Sequence, residues 1–204
     1  MVRRTRKEDY RGSLTAARAT VTLDTSGLEE LREKWGALSG AELTIGFQGP
    51  EAAERYKRTG ANLASIAMYQ EYGVPSTSWP PPWKHAGIPQ RSFLRSSIFE
   101  NRDKIQKKFA QATKRGIGAD ARIGGKGDPL FELGRVGASI VRMVKTKIRA
   151  SRSWAVRNAD TTINRKGFNY PLIETRKMLK AVSWAIRMNG AIVKKGNDTA
   201  RKTD

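Results

Sequence analysis

The apolar positions of this chain change period along its length, and the period separates strands from helices. Ala19, Val21 and Leu23 alternate with Thr20 and Thr22, which predicts a strand over 18–24. Ser26 and Glu29 form a capping-box pattern ahead of Leu28, Leu31, Trp35 and Leu38 at helical spacing, and Gly40 breaks that helix. Leu43, Ile45 and Phe47 alternate as a second strand ending at Gly49-Pro50, and the charged residues 51–60 read as a surface loop or short helical turn. Asn62 is placed to cap a helix that turns Leu63, Ile66, Ala67 and Tyr69 or Gln70 inward, with Gly73 as the left-handed residue past its end. Farther on, Leu94, Ile98, Ile105, Phe109 and Ala112 line one face of a helix that starts within 91–96 and runs to about 115.

Asp128 and Pro129 are an N-cap and first-turn pair for a long helix. At 100° per residue Leu130, Leu133, Gly137, Ile140, Val141, Val144 and Ile148 share one side, and Arg135, Arg142 and Arg149 recur every seventh residue opposite, with Lys145 close by. Residues 150–180 read as irregular, anchored by Trp154 and Phe168, with a turn over 164–167. Val182, Trp184, Ile186 and Met188 then alternate up to Asn189-Gly190, a two-residue hairpin turn, and the chain returns over 191–194. The expected fold class is α+β: a small, mainly antiparallel sheet with a C-terminal β-hairpin, packed against two long helices and shorter ones. One domain over 18–195 carries a Pro-rich loop (74–90) and a Gly-rich loop (116–128). A flexible basic arm (1–17) precedes it and a polar tail (196–204), read as disordered, follows.

Charge adds direction. The 204 residues carry a formal net charge of +20. Residues 1–90 hold 12 Lys/Arg against 10 Asp/Glu, whereas 91–204 hold 27 against 9. Such imbalance is either a solvated face or a surface with nucleic acid or an acidic protein opposite it, and one-sidedness favours the second. On the long helix Glu132 is the only acid, so Arg135, Arg142, Lys145 and Arg149 are candidate polyanion contacts, joined by Arg122 and Lys126 of the Gly-rich loop. In the Pro-rich loop, Trp79 and Trp83 either cover the domain's own core or anchor a neighbouring subunit.

Catalytic signatures are missing from the pattern. There is no cysteine and one histidine, His85, which removes disulfides, thiolate metal sites and multi-histidine sites. The glycine-rich stretch is not a Walker A loop, because Asp120 and Gly127 stand where glycine and Ser/Thr are required. The acids show no metal-ligand or glycosidase spacing. The expectation is a protein that is not an enzyme, uses no cofactor or metal, and spans no membrane.

Two stretches resemble a family. Tyr69-Gln-Glu-Tyr-Gly73 is followed, after the proline loop, by Ile88-Pro-Gln-Arg-Ser-Phe-Leu-Arg95. Thr162-Ile-Asn-Arg-Lys-Gly167 is followed by Pro171-Leu-Ile-Glu-Thr175 and 179–183. These are similar to the aromatic-x-E-F/Y-G, I-P-x-R-x-F-L-R, T-I-x-R-K-G and P-L-I-D-T-G elements of the neck or tail-completion (head–tail joining) proteins of tailed bacteriophages, related to the lambda minor tail protein Z. Glu174 stands where Asp is usual and Arg176 where glycine is common. The resemblance implies a structural virion protein that forms a homo-oligomeric ring, a hexamer, where the tail joins the head connector. Its partners would be neighbouring connector and tail proteins and the genomic DNA in the channel, and it would assemble in the host cytoplasm. Candidate subunit-interface residues on this reading are Trp79, Trp83, Arg91, Arg95, Arg165 and Lys166; Arg91 and Arg95 are also placed either to hold the joint through acids such as Glu71 or to face DNA, the first being favoured for Arg95 and Arg91 left open. The alternatives are a tail terminator capping the tail tube and, from another class, a standalone nucleic-acid-binding protein without sequence preference.

Overall fold

A computed structural model of the chain describes residues 2–4, 21–23, 29, 32–34, 36, 38–55, 60–76, 87–116 and 127–198. Strands β1 (Val2–Arg4) and β2 (Val21–Leu23) pair antiparallel, Val2 opposite Leu23; Val2–Arg4 lies within the segment read as a flexible basic arm. Helical backbone occurs at 29, 32–34 and 36, as the capping-box pattern requires; Leu28, Leu31 and Trp35 lie outside the described residues.

The main sheet has the order β3 (Ala41–Phe47), β4 (Val182–Met188), β5 (Ala191–Gly196), antiparallel throughout. β3 and β4 pair along their full length, from Ala41 opposite Met188 to Phe47 opposite Val182. Asn189 and Gly190 both take positive φ (50° and 82°), the turn geometry that matches strand twist and favours this dipeptide. The fold is therefore α+β with a C-terminal hairpin, as expected. β5 extends to Gly196 with a bulge opposite Ile186/Arg187, and Asp198 pairs with Lys145; these are the first residues of the segment 196–204 read as a disordered tail, and 199–204 lie outside the described residues.

The helices are α1 (Pro50–Ala53), α2 (Leu63–Tyr72), α3 (Leu94–Glu100), α4 (Arg102–Gly116), α5 (Pro129–Arg149), α6 (Ser151–Trp154), α7 (Asp160–Lys166) and α8 (Lys177–Ala181). α5 is the hub. Asp128 caps it by accepting from Phe131 N–H at 2.9 Å. Val141, Val144 and Ile148 enter the main core with Leu63, Ala67, Phe93, Leu172, Val182 and Ile186, while Val136 and Ile140 meet Ile105 and Ala112 of α4. Gly134 and Gly137 let the Trp184 ring lie directly on α5: a Cβ at Gly137 would stand 2.8 Å from Trp184 Cγ and 3.0 Å from Leu43 Cδ1.

Three expectations are corrected. The helix expected over 91–115 is two helices, because Asn101 leaves helical geometry (φ −110°, ψ 13°) and its side chain donates to Ser97 O at 2.8 Å. The break rotates the face: Phe93 and Ser97 are buried, whereas Ile98 and Phe109 are exposed. Residues 160–166 are helical, Gly167 being the left-handed residue past α7, so 164–167 is a helix end and not an isolated turn. Phe168, expected as an anchor, is exposed, and the Lys166 ammonium lies 5.5 Å from its ring centroid. Among the described residues no helix is long and apolar enough to cross a membrane.

Candidate functional site: a buried joint and a basic helix face

The first motif stretch folds into one unit built on Glu71. This residue ends α2 pointing inward, with its carboxylate at the start of α3. α3 opens at Phe93 without a side-chain cap of its own, which leaves its first backbone N–H groups in need of acceptors. Glu71 supplies them. Its Oε2 accepts from Phe93 N–H and Leu94 N–H, both at 2.8 Å, and its Oε1 from Arg95 N–H at 3.0 Å, Ser92 Oγ–H at 2.7 Å and Arg95 Nε–H at 3.1 Å. An acid of one helix thus caps the next, and the positive end of the α3 dipole faces it. Burial pushes the Glu71 pKa up, but the Leu94 amide, the Ser92 hydroxyl and Arg95 together hold it below the ordinary carboxylate value.

Arg95, read as a hinge to Glu71 or a subunit contact, does bind Glu71; its half-exposed guanidinium also stacks 4.3 Å from the centroid of the Tyr72 ring. Arg91, left open between a joint contact, a DNA contact and a subunit contact, is a joint contact made through Gln70 and not through an acid. It is buried and so is not a surface interface residue. Its Nε donates to Val156 O (2.8 Å), Nη1 to Gln70 Oε1 (2.6 Å), and Nη2 to Arg157 O (3.2 Å) and Asn158 Oδ1 (3.3 Å). The guanidinium fork ties α2 to the segment between α6 and α7, and burial lowers its pKa. Gly73 and Val74 bring the two ends of the proline loop together: Val74 and Ile88 exchange backbone hydrogen bonds at 2.8 Å each way. Trp79 and Trp83 lie outside the described residues.

The second motif stretch borders this joint. Arg165 Nη2 lies 3.3 Å from Glu174 Oε1, and Lys166 Nζ donates to Tyr170 O at 2.9 Å. Burial lowers the Lys166 pKa; Glu174 opposes this, whereas Arg165 and Arg91 add to it, which sets Lys166 within electrostatic reach of Arg91. Arg176 takes the left-handed conformation (φ 60°, ψ 4°) ahead of α8. This is where the family pattern has glycine, the residue that adopts it without steric cost.

The arginine face of α5 is partly occupied by the protein itself. Arg135 Nη1 pairs with Glu132 Oε1 at 3.0 Å. Arg142 and Arg149 are exposed. Lys145, expected to face a polyanion, is instead buried at 6% exposure, with its Nζ 3.3 Å from Asp198 Oδ1. A charged ammonium at that depth requires a partner. Arg122 and Lys126 lie outside the described residues. Beside the joint, a groove between α3 and α6 is bordered by Phe99 (71% exposed) and Val156 (55%), apolar exposure that the helical pattern of 94–112 did not foresee. Glu71 as a cap was likewise missed; its position in the motif, on the α2 side that carries Ala67, was the available signal.

Among the described residues no group of three or more His, Cys, Asp or Glu side chains is arranged to hold a metal ion. No protein-family model matches the chain, and comparisons with curated proteins and with solved structures return no match.

Proposed function

We propose that this protein is a structural subunit of a tailed-phage neck or tail top, assembling with copies of itself into a ring that completes the tail and joins it to the head connector. The observation that carries the reading is the Glu71 cap. The acid of Tyr69-Gln-Glu-Tyr-Gly73 holds the start of the helix opened by Ile88-Pro-Gln-Arg-Ser-Phe-Leu-Arg95, so the paired motifs on which the resemblance rests are one piece of architecture. The left-handed backbone at Arg176, where the family pattern has glycine, supports the same reading from the second stretch.

On this proposal the protein performs no chemical step. The joint sets the angle between the sheet half and the basic half, Phe99 and Val156 add apolar area for a neighbouring subunit, and the α5 face turns toward DNA or an acidic ring. A ring concentrates many copies of a +20 chain, so phosphates or acidic neighbours must offset the self-repulsion. Particles assembled without the protein test the proposal by electron microscopy and infectivity. Full heads with separate tails of normal length are expected, and overlong tails would assign a terminator role instead. Normal infectious particles would sink it, and tight, salt-sensitive duplex binding by a monomer would then favour a standalone nucleic-acid-binding protein.

A further inference from the structure

We propose that Arg142, Lys145 and Arg149 form a phosphate site for a nucleic-acid backbone, and that Asp198 of the same chain sits in it as a built-in competitor. The inference rests on the reading that the α5 face meets nucleic acid, and it names the side chains and the occupant of that face.

The first observation is an anion already seated there. Asp198 Oδ1 lies 3.3 Å from Lys145 Nζ, and Arg142 Nη2 donates to Asp198 O at 2.9 Å. Burial pushes the Asp198 pKa up, but its own backbone N–H, Lys145 and Arg149 together pull it below the usual value. Lys145 therefore pairs directly with the carboxylate, Arg149 lies within electrostatic range of it, and Arg142 holds the backbone carbonyl of the same residue. The Lys145 side chain is 7% exposed while that of Asp198 is 39% exposed, so the acid covers the ammonium from the solvent side. A group approaching from solvent meets Asp198 first and can replace it.

The second observation is what adjoins the site. Arg142 also lines an open cleft of about 340 Å³ between α4 and α5, with Lys108, Arg115 and Arg135; among the described residues Glu132 is the one acid in its lining. Arg135, Arg142 and Arg149 follow one another at seven-residue steps, about 10.5 Å along a helix at 1.5 Å per residue. A nucleic-acid strand carries a phosphate at every nucleotide, so one strand can meet more than one of these arginines. A repeating anion of this kind engages the stripe at several points, whereas Asp198 engages it at one. Guanidinium groups also match phosphate oxygens through paired N–H donors. The competition then works as a threshold. The site stays closed to single small anions and opens to a polymer whose summed contacts outweigh one carboxylate.

The test uses the full chain and a short labelled duplex of mixed sequence, with affinity read by fluorescence anisotropy over a salt series. Asp198→Asn removes the charge but keeps an oxygen to accept from Lys145, and a thermal melt checks that it folds. Asp160→Asn makes the same change in net charge at an exposed pair with Arg157 and serves as the control. Asp198→Asn is expected to bind about two- to fivefold tighter than wild type, the range of one partly exposed ion pair, and tighter than Asp160→Asn. Arg142→Ser with Arg149→Ser should erase that gain and reduce the salt slope by about 1.8, or about 0.9 per lost phosphate contact. In wild type, saturating duplex should speed amide exchange at residues 197–198. The proposal is overturned if the two Asn variants bind alike, if the gain survives loss of the arginines, or if exchange at 197–198 does not change. It is also overturned if poly-glutamate binds with the Asp198 dependence while duplex does not, which would make the ligand an acidic protein. Any of these leaves the neck reading standing; normal particles made without the protein would remove the neck reading and leave the site.

Discussion

Replacing Glu71 by glutamine is the most direct probe of the joint, because it changes one oxygen and leaves the volume. The amide keeps a single acceptor. If that acceptor takes the Oε1 position, it retains the Ser92 and Arg95 donors, and the new NH2 group confronts the Phe93 and Leu94 amides that Oε2 had accepted at 2.8 Å. The opposite rotamer leaves three donors without an acceptor. Each buried donor left unsatisfied costs about 1–3 kcal/mol, so the better rotamer still loses about 3 kcal/mol when the half-buried Leu94 amide recovers part of its loss from water. For a domain of this size that lowers Tm by about 6–12 °C. Urea unfolding at neutral pH measures the difference directly.

The pH dependence gives a second, independent reading. The folded-state pKa of Glu71 is depressed, so its contribution is fully present above the ordinary value of 4.5 and is lost as pH falls through the depressed value. The reason is that the unfolded chain takes up a proton there before the folded chain does. The gap between wild type and Glu71→Gln should therefore stay flat from pH 8 to pH 6 and close below about 4.5. A loss under 1 kcal/mol at neutral pH, or a gap that widens in acid, would refute the cap as the source of stability. The charge swap Glu71→Arg with Arg95→Glu should not restore stability, because an arginine at 71 cannot accept from three backbone amides.

Arg176→Gly should stabilise by about 0.5–1 kcal/mol, since it removes a left-handed non-glycine residue at some cost in unfolded-state entropy; an unchanged or lower urea midpoint would contradict this. Gly137→Ala should destabilise by about 1–2 kcal/mol, because the clash with Trp184 and Leu43 outweighs the helix propensity of alanine, and a calorimetric Tm at or above wild type would count against the packing described. Arg91→Lys should cost about 2–3 kcal/mol, because one ammonium cannot serve Val156, Gln70, Arg157 and Asn158 together. Amide exchange over 155–159 should rise in that variant, and protection equal to wild type would show that the clamp is not what holds the segment.

The long helix α5 and the terminal hairpin were readable from the sequence because their determinants are neighbours in the chain. Asp128-Pro129 starts the helix, a 3.6-residue period of apolar side chains assigns its inner face, and Asn189-Gly190 turns the hairpin. These are contacts within a few residues, and local energetics suffice to specify them. The break at Asn101 was harder, since the apolar spacing on either side fits a continuous helix and only a local side-chain cap interrupts it.

The fates of the charged residues depended on partners far along the chain. Arg91 and Arg95 stand four residues apart, yet one is buried among carbonyls 65 and 66 residues away and the other half-exposed on Glu71. Lys145 sits among the exposed arginines of α5, yet it is the one that Asp198 covers. Period and capping determine which side of a helix is apolar. Whether a charge stays in water is decided by the desolvation of that charge against the oxygens that surround it, and those oxygens come together only when the whole chain has folded.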